Sequence, residues 1–382
     1  MNGWILFWGK RGESGMQGFS QKDRPVKEEK RVFMTGNEVI AWAALVAKAE
    51  IMFGYPITPQ NEIMHYWTRL APKYGREFLQ TEDELSAGFT TLGGVLAGRK
   101  SFTATAGPGN ILMQEPLSMA EAMRLPSVVV VMQRGGPSSG TVIYSQQEVT
   151  LTTLGGNGEG TRIVYSTINH QELFDYTIKA FNTAWKYRFP TFVLGDGYQS
   201  KMRESLTIYD PEQRGIELID PEPYLGKTGT PGIDRPAVYL ANIYSMEEEL
   251  YEVVEGFVHE YERIIPQVAE HEAEYTDKAD LVIIAHGVVA RAARLAAREL
   301  QKEGFKVGYF RPITIRPLPV KELQEVAGRT GKFLMVESAH GQLARLVKEV
   351  LYGYTASMFN LFKPGMGITP EEIKEKAKEI LS

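Results

Sequence analysis

From Arg31 onward, short β-branched runs alternate with segments of helical period, and this alternation constrains the fold more than any other property of the chain. Strands joined by crossover helices run parallel, and a parallel sheet needs both faces covered. The predicted strands are Ile51–Phe53, Glu77–Gln80, Ser101–Thr105, Ser127–Met132, Arg162–Tyr165 and Thr191–Leu194. Between them the pattern predicts helices over Glu38–Lys48, Pro59–Leu70, Glu82–Ala97, Asn110–Arg124 and His170–Tyr187. Residues 31–206 therefore form one α/β domain. Residues 207–277 read as a connector, rich in Pro and Gly from Asp210 to Pro236 and then carrying a charged amphipathic helix over Ser245–Ala269. A second α/β unit, residues 278–382, opens with strand Asp280–Ala285 and closes with a helix near Thr369–Leu381, with Pro370 at its first position.

Composition removes several function classes. With 43% apolar and 23% charged residues the chain is ordinary for a globular protein. A net charge of −5, with no basic run interleaved with aromatics, argues against a nucleic-acid partner. There is no cysteine, so the polypeptide provides no disulfide, no thiolate for an iron–sulfur cluster and no cysteine nucleophile. Any redox centre must lie on another chain. The apolar patch Trp4–Trp8 is too short for a secretory core or a membrane span, so residues 1–30 are expected to be a loose leader on a cytoplasmic protein with no membrane partner. The six histidines lack metal-ligand spacing, and no metal site is assigned to this chain.

Chemistry-bearing residues gather where predicted strands end. In Tyr55-Pro56-Ile57-Thr58-Pro59, Thr58 stands as an expected N-cap with Pro59 at the first helical position, a helix start that attracts anions. In Gln80-Thr81-Glu82-Asp83-Glu84, the Thr81 and Glu84 spacing fits a capping box, which leaves Glu82 the freer carboxylate. Gly107 and Gly109 follow Ser101–Thr105 and expose backbone. Arg134 follows the strongest strand, on a Gly-Gly-Pro loop suited to bidentate capture of a carboxylate or phosphate, although a salt bridge explains it equally. Gly195-Asp196-Gly197 lacks the downstream Asn that would make it a diphosphate motif and reads as a strand-ending turn. The glycine-rich run Gly155–Gly160 is neither G-x-G-x-x-G nor a P-loop.

Taken together, Tyr55–Pro59, Thr81–Glu84, Thr103–Gly109 and Arg134–Ser138 occur in an order and at intervals that resemble the alpha subunit of the 2-oxoacid:ferredoxin oxidoreductases. The resemblance covers about Arg31 to Pro370. It implies a thiamine-diphosphate-type pyrimidine-binding domain followed by a transketolase C-terminal-like domain. It also implies a cofactor shared with a beta subunit that holds the diphosphate and Mg2+. Iron–sulfur clusters would sit on partner subunits, gamma and ferredoxin-like delta subunits would be present, and ferredoxin would accept the electrons. On this resemblance Glu82 bonds the aminopyrimidine ring, Tyr55, Pro56 and Ile57 line the cofactor, and Thr58 and Arg134 hold the carboxylate of a 2-oxoacid, which is converted with coenzyme A to acyl-CoA and carbon dioxide. Relatives continue the arginine loop as P-S-T-G-L-P-T; here the last position is Ile143. A noncatalytic assembly subunit with a vestigial pocket is the alternative the glycine-rich helix and long connector leave open.

Overall fold

The structure, a computed structural model, describes residues 24–231 and 233–382. In chain order the first unit holds β1 (Lys30–Thr35), α1 (Gly36–Val46), β2 (Ile51–Gly54), α2 (Asn61–Leu70), β3 (Glu77–Gln80), α3 (Glu84–Leu96), β4 (Ser101–Thr105), α4 (Pro108–Leu112), α5 (Gln114–Ala122) and β5 (Val128–Gln133). It continues with α6 (Val149–Leu154), β6 (Ile163–Ser166), α7 (His170–Tyr187), β7 (Thr191–Asp196), α8 (Gly197–Lys201) and β8 (Arg203–Ile208). Helix α9 (Glu247–Val268) ends the connector. The second unit holds β9 (His271–Glu274), β10 (Leu281–Ile284), α10 (Val289–Lys302), β11 (Val307–Pro312), β12 (Thr314–Arg316), α11 (Val320–Ala327), β13 (Lys332–Glu337), α12 (Gln342–Val350), β14 (Ser357–Phe362) and α13 (Pro370–Leu381).

The first sheet has the order β12-β6-β7-β5-β4-β2-β3. Its strands are parallel except β12, which pairs antiparallel with β6. Strand β5 reads Val-Val-Val-Val-Met-Gln and is buried throughout, as a central parallel strand sandwiched by helices must be. The chain steps from β2 outward to β3, then back across to β4 and β5, so the turns after β3, β2, β4 and β5 line one stretch of rim. Open α/β sheets bind ligands at that kind of reversal. The second sheet, β14-β13-β10-β11-β9, is parallel apart from β9.

Several expectations need correction. Segment Asn110–Arg124 forms two helices, α4 and α5, because Pro116 has no N–H to offer the Leu112 carbonyl. The domain limits at 206 and 278 are not clean cuts: β8 runs to Ile208 paired with β1, β9 of the second sheet begins at His271, and β12 leaves the second unit to edge the first sheet. Of the leader, the Trp4–Trp8 patch lies outside the described residues. From Arg24 the chain is anchored rather than loose: Arg24 donates 2.8 Å to Asp210, Val26 is buried, and Lys30 opens β1. Among the described residues, no helix is long and apolar enough to cross a membrane.

Candidate active site

The turn after β2 departs from its expected form. Helix α2 starts at Asn61, with Gln60 at its N-cap and no side-chain cap, and the Thr58–Pro59 peptide is cis. The N–H groups of Gln60 and Asn61 both donate to the Ile57 carbonyl, at 3.1 and 3.0 Å. Asn37 Nδ2 holds the Pro59 carbonyl at 2.8 Å, and Gln60 Nε2 donates to the Tyr55 carbonyl. Thr58 is therefore not an N-cap, and the anion-binding helix start is not formed here. What Thr58 does present is its carbonyl, which accepts 2.7 Å from Arg134 Nη1. Tyr55 and Ile57 are half-buried beside it and Pro56 is exposed.

At the turn after β3 the capping box between Thr81 and Glu84 is also absent. Asp83 is the N-cap of α3, accepting 2.7 Å from Ser86 N–H, while the Thr81 hydroxyl donates to the Asp83 carbonyl. Three consecutive residues, Thr81, Glu82 and Asp83, precede the helix, and the short Asp side chain next to the first turn wins. Glu82 thus lies outside α3 and is exposed. Glu84, two residues on, is the first residue of α3 and only 4% exposed. Burial pushes its carboxyl pKa up, and the nearby Asp83 charge adds to this; its own backbone N–H and the Arg134 guanidinium pull in the opposite direction.

The turn after β4 explains its two glycines. Gly107 has φ +54°, and a Cβ there would collide with Arg134 Nε. A Cβ at Gly109 would collide with the Glu84 carboxylate and the Thr105 hydroxyl. Their lack of side chains lets an acid, a guanidinium and a hydroxyl converge on one piece of backbone. Arg134, directly after β5, is 5% exposed. Thr105 Oγ1 and Arg134 Nε are buried without a hydrogen-bond partner, polar capacity that normally finds one.

One residue of this constellation escaped sequence reading. Glu148, 4% exposed, accepts from the backbone N–H of Gly107 at 2.8 Å and of Arg134 at 2.9 Å through one carboxylate oxygen. Its other oxygen accepts 3.0 Å from Asn110 Nδ2. Burial pushes this pKa up, against the pull of those donors. A Glu in Gln146-Gln147-Glu148 carries no motif; only its complete burial marks it. Gly195–Gly197 behaves as the expected strand end, with Asp196 capping α8 through the N–H groups of Tyr198 and Gln199.

An acid with a raised pKa, set against bare backbone beside an unpaired hydroxyl and an unpaired guanidinium nitrogen, fits a heteroaromatic ring nitrogen and an anionic co-ligand. Residues 42–274 match the family described as "Pyruvate flavodoxin/ferredoxin oxidoreductase, thiamine diP-bdg", and residues 279–373 match "Pyruvate:ferredoxin oxidoreductase core domain II". The chain is 34% identical to the 2-oxoglutarate synthase subunit KorA of Methanothermobacter thermautotrophicus, over 89% of this chain and 96% of that one. It is 33% identical to the ketoisovalerate oxidoreductase subunit VorB of the same organism, over 81% and 86%. A solved 2-oxoglutarate:ferredoxin oxidoreductase from Magnetococcus marinus, with 2-oxoglutarate, coenzyme A and succinyl-CoA bound, superposes with a TM-score of 0.81 at 28% identity, over 94% of this chain and 66% of its own. A split-gene transketolase, at 14% identity and a TM-score of 0.56, shares the fold. The two family models together with relatives 34% and 33% identical over most of both chains make this chain a member of the 2-oxoacid:ferredoxin oxidoreductase family, of the alpha-subunit type.

Proposed function

We propose that this chain supplies the ring-activating and carboxylate-holding half of the active site of a multisubunit 2-oxoacid:ferredoxin oxidoreductase. The overall reaction takes a 2-oxoacid and coenzyme A to acyl-CoA and carbon dioxide, with two electrons passed singly to ferredoxin; the same site serves the reductive carboxylation in reverse. When bound, thiamine diphosphate supplies the carbon nucleophile and the electron sink for decarboxylation. This chain provides an acid and a clamp.

The observation that carries the reading is the burial of Glu84 against Gly109, beside the Arg134 and Thr58 pair. Among the two glutamates of the Thr81–Glu84 turn, the motif first pointed to Glu82; its exposure and position before the helix favour Glu84 as the group that hydrogen-bonds the pyrimidine nitrogen. A carboxyl whose pKa is raised by burial keeps its own proton more readily than an exposed one and so can donate it in a hydrogen bond to that nitrogen. Arg134, steadied by its bond to the Thr58 carbonyl, and the Thr58 hydroxyl would fix the 2-oxoacid carboxylate, with Tyr55, Pro56 and Ile57 closing the β2 side. Orientation is their contribution, since the scissile bond must align with the electron sink.

The same geometry supports a partner at this rim. Leu85, Phe89, Ile111 and Leu112 are large apolar residues, each more than a third exposed, on the helices that start there. We assign the diphosphate and Mg2+ to a beta subunit facing them, with gamma and ferredoxin-like delta subunits as further partners, and the iron–sulfur clusters to partner subunits, because a cysteine-free chain has no thiolate to give. The cytoplasm is the compartment this reading implies.

The test is viologen-dye reduction by the enzyme co-purified with its partners, using pyruvate, 2-oxoglutarate and branched 2-oxoacids. Glu84→Gln is expected to lower kcat by at least about 100-fold, the scale of a lost general acid, while Glu82→Gln keeps most activity. The reverse ranking would return the role to Glu82. Full activity in both variants would favour the assembly-subunit reading.

A further inference from the structure

We infer that Glu148 is a positioning residue for the Arg134 carboxylate grip and that Gln342, in the second unit, holds Glu148 in register; the inference rests on the function proposed above. One oxygen of Glu148 spans the ends of β4 and β5, taking the N–H of Gly107 and that of Arg134. The separation of those two turns is critical, because the Arg134 side chain lies in the space that a Cβ on Gly107 would fill. A small slip of either turn moves the guanidinium off the Thr58 carbonyl.

Glu148 is itself gripped from the other unit. Gln342, the first residue of α12, donates 2.7 Å to the Gln147 carbonyl and accepts 2.9 Å from Thr150 N–H, so its side chain brackets Glu148 on both sides. Gln146 is tied as well: its backbone N–H donates to the Ser338 carbonyl and its side-chain oxygen accepts from Ser338 N–H, both at 2.9 Å, while its amide donates 2.8 Å to the His286 carbonyl. A continuous set of hydrogen bonds thus runs from the second unit, through residues 146–150, to the backbone of the arginine turn. This gives the second unit a part in substrate orientation rather than bulk support alone.

Two variants test this in the enzyme assembled with its partner subunits. Glu148→Gln keeps the side-chain volume but gives Gly107 and Arg134 a neutral amide oxygen, a weaker acceptor than the carboxylate they share, and turns an amide toward Asn110 Nδ2, whose own carbonyl oxygen is already committed to Gln114 Nε2 at 3.0 Å. The expected result is a KM for the 2-oxoacid raised roughly tenfold, the scale of one lost hydrogen bond to a charged group, with the KM for coenzyme A and the affinity for thiamine diphosphate within about twofold of wild type. Gln342→Ala, which touches neither Gly107 nor Arg134, is expected to raise the same KM by a smaller factor and to speed amide hydrogen exchange at Gly107 and Arg134. If Glu148→Gln does not assemble, the second variant decides alone. An unchanged 2-oxoacid KM, a loss spread evenly over all three ligands, or exchange altered only at residues 147–150 would each overturn the coupling. A wild-type complex inactive on every 2-oxoacid would instead remove the function on which it stands.

Discussion

Arg134 reaches back across the β4 turn to donate its 2.7 Å hydrogen bond to the Thr58 carbonyl, so the residues that follow β5 and β2 are joined through a side chain. The bond sets the plane of the guanidinium and leaves Nε without a protein partner. A lysine has the charge but neither the fork nor the reach to keep both contacts. Arg134→Lys should therefore raise the KM for the 2-oxoacid by about tenfold or more and leave coenzyme A saturation unchanged, as read by steady-state kinetics of the assembled enzyme. A lysine variant indistinguishable from wild type would mean that charge alone suffices.

The Arg134 loop passes directly over the end of β7. A Cβ on Gly197 would fall on the Ile143 carbonyl oxygen, with no flexible side-chain end to yield. Gly197→Ala should displace the loop at Ile143, lowering stability by roughly 1–3 kcal/mol, as overpacking does, and weakening 2-oxoacid binding along with it. Thermal unfolding and KM together check this; a variant with unaltered values of both would show that the loop has slack.

Lys100 lies at the opposite end of the sheet, wholly buried just ahead of β4 and beside Glu50, which precedes β2, with its ammonium donating one hydrogen bond to the Ala47 carbonyl. Burial pushes its pKa down to about 8, against the attraction of Asp220 and Glu50. Between about pH 8 and the ordinary lysine value, the unfolded chain holds a proton that the folded one has released, so stability rises with pH across that window. Below pH 8 the full penalty of a buried ammonium applies. Lys100→Met should then stabilise the protein by roughly 1–3 kcal/mol at pH 7 and by progressively less toward pH 10, measured as denaturant midpoints across the range. A pH-independent difference would remove lysine ionisation as the cause.

Arg311 on β11 is fully buried and joins the two units: it bonds both carboxylate oxygens of Glu172 on α7, the Ser166 carbonyl and Glu272 on β9. Removing only Glu172 takes the two-oxygen partner from a buried cation and leaves it Glu272 and the Ser166 carbonyl. Glu172→Ala is expected to cost roughly 3 kcal/mol, and a paired replacement of Arg311 and Glu172 by Met to cost less than the single change. A double-mutant cycle in which the paired loss equals the sum of the two single losses would mean the two residues do not couple.

How much of this was readable from the chain depends on distance along it. The edge strand Glu77–Gln80, the strand Ser101–Thr105 and helix His170–Tyr187 end where local composition changes, and the structure agrees with their limits. Thr58 misled because threonine followed by proline is a sound local helix start, and only Asn37, 22 residues upstream, shows that the Pro59 carbonyl is already taken. The choice among Thr81, Glu82 and Asp83 is likewise decided by which side chain faces the first helical turn, something spacing alone does not rank. Glu148 was beyond local reading altogether, since its partners Gly107 and Arg134 lie 41 and 14 residues away. Strand β12 is three residues long and finds its place only through pairing with β6.

That short strand has a wider consequence. Because Thr314–Arg316 completes the border of the sheet whose rim carries Glu84 and Arg134, the two halves are interlocked like the fingers of clasped hands rather than strung in series. A gene fragment cut after the connector would leave β6 with a raw margin and a row of unanswered peptide groups, a template for self-association. Any ancestral recombination that exchanged the carboxy-terminal half for another would have had to replace this borrowed stitch as well.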